Sequence, residues 1–165
     1  MSFSFLPKAI VDNLTRITPL WLHDNKIRLL MLDFDNTIVP YTTNEPEETV
    51  LAWLGQMKES GIELCIVSNS RKRRVLDFCE KYGLSCVTRS KKPFSKGILE
   101  CMRRFDRKPE ECALVGDQIY TDVLGANCAG VYSVLTKAIH NHNIWLKLRH
   151  VAELPFIYVA RKRRM

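Results

Sequence analysis

No CxxC pair occurs in this chain of 165 residues, although it holds six cysteines: Cys65, Cys79, Cys86, Cys101, Cys112 and Cys128. Neither a zinc site nor a redox pair is therefore signalled. Several of these thiols fall in apolar runs, where they behave as small hydrophobes, and that suits a reducing cytoplasm. Also missing is any unbroken apolar stretch of the roughly 20 residues that a membrane span needs. The opening MSFSFLPKAIVDNLTRITPLWL is apolar, but Lys8, Asp12 and Arg16 interrupt it and no small-residue cleavage site follows. A signal peptide and a transmembrane segment are not indicated. Residues 1–25 instead read as a segment that packs on its own domain or rests on a membrane surface. Internal repeats and low-complexity tracts are absent, so the length points to one domain over residues 1–165, long enough for a proper core.

What the chain does have is an uneven charge. Its net charge is +7, yet residues 1–60 carry 5 Lys/Arg against 8 Asp/Glu, while residues 61–165 carry 20 against 10. The basic part attracts anions: phosphates, nucleic acid or acidic lipid headgroups. Any single basic cluster also reads as a solubilising face.

Apolar runs alternate with helical stripes. RLLMLD (28–33), IELCIVS (62–68), LSCVT (84–88), CALVGD (112–117) and VYSVL (131–135) read as five strands, buried and parallel. Between them lie stripes at helical spacing: Val50, Trp53, Leu54 and Met57, stopping at Gly61; Val75, Phe78, Cys79 and Tyr82, stopping at Gly83; and Ile98, Leu99, Met102 and Phe105. Residues 121–129 read as a short helix. Residues 136–165 read as a C-terminal helix and basic tail, with Ile144, Trp145 and Leu148 apolar and Lys147 and Arg149 basic. That helix docks on the domain or touches lipid.

Strands alternating with helices of this length imply a doubly wound sheet, and such sheets bind ligands beyond the carboxyl ends of their strands. There the first strand ends in Asp33 and Asp35, the second in Ser68 and Asn69, the third in Lys91 and Lys92, and the fourth in Gly116, Asp117 and Asp122. Two acids two residues apart at the end of a buried strand repel one another and are costly to desolvate, so something positive must meet them. Taken singly, each has a plainer reading: Asp117 and Asp122 as helix caps, Ser68 and Asn69 as turn residues, a lysine as solvated surface.

The motifs DFDNT (33–37), SN (68–69), KKP (91–93) and GDQIYTD (116–122) resemble, in content and spacing, the four motifs of haloacid dehalogenase-type phosphatases. GDQ-x-x-TDVLG-x-N (116–127) and FLP (5–7) are similar to the YqeG-type group of subfamily IIIA, which includes phosphatidylglycerophosphate phosphatases. The resemblance covers nearly the whole chain and thins after about residue 136. It implies a Rossmann-like three-layer α/β/α sandwich around a central parallel sheet, and an enzyme that hydrolyses phosphate monoesters.

It also implies the missing positive charge: Mg2+, a hard cation that keeps waters and a substrate phosphate. Its ligands would be the Asp33 carboxylate, the Asp35 backbone carbonyl and the Asp117 carboxylate, with Asp122 behind them. Asp33 would attack phosphorus and become an aspartyl-phosphate. Asp35 would protonate the leaving group and then activate water, a role that calls for a raised proton affinity. Ser68 would hold a phosphoryl oxygen, and Lys92 would neutralise the transferring group, with Lys91 its competitor. Asn36, Thr37, Asn69 and Arg71 are expected on the substrate side. Thr37 also shapes the loop and holds Asp35, and Asn69 either orients substrate or caps its turn.

Residues 38–49 and 69–91 leave no room for an inserted cap domain, so the site should be open and suited to a large or membrane-held substrate. No Cys/His zinc loop separates the second and third motifs, unlike in some subfamily IIIA sugar-phosphate phosphatases. The run RKRR (71–74) follows Asn69 directly and is placed to hold an acidic headgroup or a nucleic-acid backbone, or is simply the solvated start of a helix. The expectation is a cytoplasmic enzyme in peripheral contact with the inner face of the membrane if its substrate is a phospholipid. A nucleic-acid-end phosphatase and a non-catalytic RNA- or protein-binding module are the alternatives.

Overall fold

LLML forms the central strand β2 (Leu29–Leu32), in which no side chain reaches solvent. The computed structural model describes residues 3–70, 73–139 and 144–162, the last segment by backbone alone over 144–152. β2 lies between β3 (Glu63–Val67) and β5 (Cys112–Gly116), pairing in parallel with both. β4 (Ser85–Val87) extends the sheet beyond β3, and β6 (Tyr132–Thr136) extends it beyond β5. The order β1-β6-β5-β2-β3-β4 makes a six-stranded parallel sheet.

Alternation along β2 separates two cores. Leu30 and Leu32 face a cluster with Val50, Trp53 and Met57 of α2 (Glu48–Glu59) and Val75 and Phe78 of α3 (Arg73–Tyr82). Leu29 and Met31 face the opposite cluster, with Ile98 and Met102 of α4 (Lys96–Arg104) and Ala126 and Ala129 of α5 (Leu124–Ala129). Each layer of helices thus covers one face of the sheet, giving the three-layer sandwich expected from the sequence. Gly61 and Gly83, read as helix stops, follow α2 and α3 at φ +76° and +60°, in the left-handed region where a Cβ is unfavourable. All six cysteines are free, and burial pushes the Cys112 thiol up to about 12, in keeping with packing rather than reactivity.

Two features differ from the sequence reading. A sixth strand, β1 (Ala9–Val11), pairs in parallel with the edge of β6 in the register Ala9 to Val134. Three residues between Lys8 and Asp12 are too few to show a period. The N-terminal segment then packs on the domain through buried Leu14, Ile17 and Leu22 of the segment containing α1 (Pro19–Asp24), and Trp53 Nε1 donates to the Ile17 carbonyl at 2.6 Å. Second, the helix read at 121–129 is a π-helical turn over Ile119–Val123 that leads into α5. The C-terminal helix α6 (Ile144–Lys162) docks by its second half: Glu153 accepts from the Ile119 backbone N–H at 3.0 Å, and Phe156 and Ile157 join Ile119, Val123 and Leu135 in a third apolar cluster. Among the described residues no helix is long and apolar enough to cross a membrane.

Candidate active site

The parallel sheet brings the four loops to one rim. Asp33 leaves β2 directly, Ser68 leaves β3 and Asp117 leaves β5, while Lys92 stands five residues beyond β4. All four are buried, as is Asp122. Lys92 resolves the choice between adjacent lysines: its ammonium lies 2.7 Å from Asp33 Oδ1 and 2.7 Å from Asp122 Oδ1, whereas Lys91 is exposed. Asn69 holds that lysine in place. Its Oδ1 accepts from the Lys92 backbone N–H at 2.7 Å and from the Ser90 hydroxyl at 2.8 Å, and its Nδ2 donates to the Lys92 carbonyl at 2.9 Å. Both ends of the amide are thus engaged with the lysine loop. Ser68 Oγ accepts from the Ser70 N–H at 3.0 Å, which leaves its own hydrogen available for donation.

Asp122 is fixed from two sides. Its Oδ2 accepts from the Gln118 N–H at 3.1 Å while Oδ1 faces Lys92. Gly116 permits this, because a Cβ there would lie 2.3 Å from the Asp122 carboxyl carbon. The N-cap position of the turn at Ile119 is Gln118, whose side chain makes no cap, and Asp122 reaches back to the Gln118 N–H from within the turn.

The loop after β2 turns sharply. Asn36 has φ +62° and donates its N–H to the Val39 carbonyl at 2.7 Å; its own carbonyl accepts from Ile139 at 3.0 Å. Thr37 is buried, and its hydroxyl makes no hydrogen bond among the described residues, so it does not hold Asp35 as the sequence suggested. Asp35 instead faces Arg74, whose Nη1 stands 3.4 Å from Oδ1. Sequence reasoning passed over Arg74 as part of a basic run. The available signal was its position four residues before Phe78, in line with the buried stripe of α3. Glu153 and Ser90 were also missed, the first because it lies in a distant C-terminal helix. Arg71 and His140 to His142 lie outside the described residues.

Among the described residues, Asp33, Asp35, Asp117 and Asp122 converge on the rim, where Lys92 and Arg74 face them. Burial pushes the Asp33 carboxyl from its ordinary 3.8 up to about 7; Lys92 pulls it down, while Asp122 and Asp35 push it further up. Burial works against the Lys92 ammonium as well, yet Asp122 and Asp33 together hold its pKa above the ordinary 10.5. Oxygens of Asp33, Asp117 and Asp122 lie within 4.8 Å of one another. Hard, buried carboxylates at that spacing, one of them pushed towards protonation, fit a hard divalent cation.

A family model for haloacid dehalogenase-like hydrolases matches residues 41–130. The probable phosphatase YqeG of Bacillus subtilis is 37% identical over 131 residues, covering 79% of this chain and 76% of that protein. Glyceraldehyde 3-phosphate phosphatase of Pyrococcus furiosus is 34% identical over 82 residues, half of this chain and 30% of that one. Among solved structures, a subfamily III A haloacid dehalogenase hydrolase of Legionella pneumophila superposes with a TM-score of 0.55 at 15% identity, over 78% of this chain and 73% of the other, which is a likeness of fold. With four strand-end loops gathered on one rim and these relatives beside it, the chain belongs to the haloacid dehalogenase-like hydrolases and stands there among the phosphatases.

Proposed function

We propose that the protein is a Mg2+-dependent phosphomonoesterase working through a phosphorylated Asp33. The observation that carries this reading is the buried Lys92 ammonium held 2.7 Å from both Asp33 and Asp122, with Asp117 alongside. An Asp33 oxygen attacks phosphorus as the bond to the leaving oxygen breaks, and Asp35 gives that oxygen its proton. Asp35 then takes a proton from water, whose oxygen attacks the same phosphorus; the bond to Asp33 breaks and inorganic phosphate leaves. Lys92 offsets charge on the transferring group, and Ser68 donates its hydroxyl hydrogen to a phosphoryl oxygen. Asn69 positions Lys92. Asn36 and Thr37 border the phosphoryl position, where the Thr37 hydroxyl has a donor to spare. When bound by Asp33, the Asp35 carbonyl and Asp117, with Asp122 behind, Mg2+ screens the repulsion between nucleophile and phosphate.

For substrate we infer phosphatidylglycerophosphate. Support comes from the basic residues 61–165 and from a rim over which the described residues insert no cap between β2 and α2 or between Asn69 and Lys91, a span that α3 and β4 occupy. The YqeG-type motifs agree with it. An open rim in a chain whose residues 61–165 are basic admits a phosphate presented on a membrane surface, to which the enzyme would bind peripherally from the cytoplasm.

The test is a screen of lipid and soluble phosphate esters, with and without Mg2+, against wild type and Asp33→Asn. Metal-dependent release of phosphate is expected, falling at least about 10³-fold in the variant. Full activity in Asp33→Asn removes Asp33 as nucleophile. A preference for oligonucleotide ends over the lipid ester would replace the substrate reading while keeping the chemistry.

A further inference from the structure

Arg74 has no part in the reaction as derived above, yet it is among the most constrained cations in the molecule. It lies in the first turn of α3, with its side chain 11% exposed. Its guanidinium stacks over the buried Phe34 ring at 5.1 Å. Nη2 donates to the carbonyls of Pro40 at 3.1 Å and Thr43 at 2.8 Å, and Nη1 donates to that of Tyr41 at 3.2 Å. The same Nη1 faces Asp35 Oδ1 at 3.4 Å. One planar group therefore grips the strap of residues 40–43 and the carboxylate that begins the same loop. Lysine, with a single ammonium on a flexible stem, does not offer that fork.

Asp35 needs holding for a physical reason. Thr37 does not bond it, and its carboxylate follows a residue, Phe34, packed into the core. A proton donor must sit within hydrogen-bond reach of the departing oxygen, and small errors in placement are costly in rate. The strap ends against α3 at a second point, where Glu45 meets Lys81 at 2.8 Å and the Tyr82 hydroxyl at 3.0 Å.

We propose that Arg74 is a positioning residue that presents the Asp35 carboxyl to the leaving-group oxygen and couples that orientation to the strap of residues 40–43. This rests on the reading of Asp35 as proton donor. Through that orientation the enzyme handles esters of poorly departing alcohols. An alkyl phosphate releases a strongly basic alkoxide that requires the proton, whereas 4-nitrophenyl phosphate releases a phenolate stable without one.

The experiment compares kcat/KM for an alkyl phosphate, glycerol 3-phosphate, with that for 4-nitrophenyl phosphate in wild type, R74A, D35N and the double variant, with Mg2+ present. The ratio of the two values within one preparation does not depend on the fraction of folded enzyme. R74A is expected to lose roughly 10- to 100-fold on the alkyl ester and less than about 3-fold on the aryl ester. D35N is expected to shift the ratio the same way and further, and R74A on top of D35N is expected to shift it no more. If R74A loses both esters equally while D35N keeps the aryl preference, the proposal is overturned alone. If D35N shows no aryl preference, the acid–base reading falls and this proposal with it.

Discussion

Two lysines in this molecule meet carboxylates at nearly the same distance and do entirely different things. Lys92 stands 2.7 Å from Asp33 and Asp122 with 1% of its side chain exposed, while Lys81 stands 2.8 Å from Glu45 with 55% exposed. Distance alone does not separate them. At the rim, the ends of β2 and β5 and the lysine loop keep water from the charges, so each depends on its partners for what solvent no longer supplies. On the outer face of α3, water screens the pair and holds either member as well alone. The rim is organised by charges that cannot be left unpaired, and α3 by its apolar stripe.

The sharpest way to break the comparison is to remove Lys92. Lys92→Met keeps much of the side-chain volume and deletes the ammonium, leaving Asp33 and Asp122 facing each other out of reach of solvent. Stripping one partner from a buried ion pair costs about 3–5 kcal/mol, and loss of a preorganised positive group at a transferring phosphoryl costs about 10²–10³ in kcat. Urea unfolding should show a lower midpoint with an unchanged slope, and turnover should fall by that factor. Near-normal stability and activity would mean that the buried cluster is no more coupled than the surface pair.

Proton uptake sharpens it further. The folded value of Asp33, about 7, lies above its ordinary 3.8, so between those limits the metal-free folded chain binds a proton that the unfolded chain does not. The Asp33 contribution to stability is therefore fully present below about 3.8 and is lost as the pH rises through about 7. A hard cation on the same carboxylate must displace that proton. Mg2+ should then raise Tm more at pH 8 than at pH 6, and Asp33→Asn should erase the difference. Equal shifts at both pH values would show that metal and proton do not compete there.

How much of this was legible in the sequence follows from the same contrast. The strands and stripes were readable because apolar burial has a period: LLML and the Val50, Trp53, Leu54 and Met57 stripe lie where periodicity puts them. The acids at the strand ends were readable because β topology carries the ends of parallel strands to one rim. Which lysine faces inward was not, since Lys91 and Lys92 are chemically alike and only the backbone of the loop, with Lys91 at φ +59°, turns one inward. Arg74 was hidden for the opposite reason: RKRR reads as an anion-holding or a solvated run in which no residue stands out, and its grip on Asp35 depends on contact between segments more than 30 residues apart. β1 was too short to show a period, and the contact of Glu153 with Ile119 is a single bond across 34 residues.

The smallest expected effect completes the contrast. Lys81 and Glu45 are both exposed, and their pair holds the far end of the strap that Arg74 grips near Asp35. Glu45→Gln should leave Tm within the scatter of replicate melts, because water replaces what the lysine supplied. Turnover should also stay unchanged if Arg74 alone sets the strap at the site, since its three carbonyl contacts are untouched. The informative failure is a variant with normal Tm but a lower kcat/KM on alkyl than on aryl phosphates. That result would extend control of Asp35 from the buried guanidinium to the whole strap, and an exposed ion pair would then act on chemistry while contributing nothing to stability.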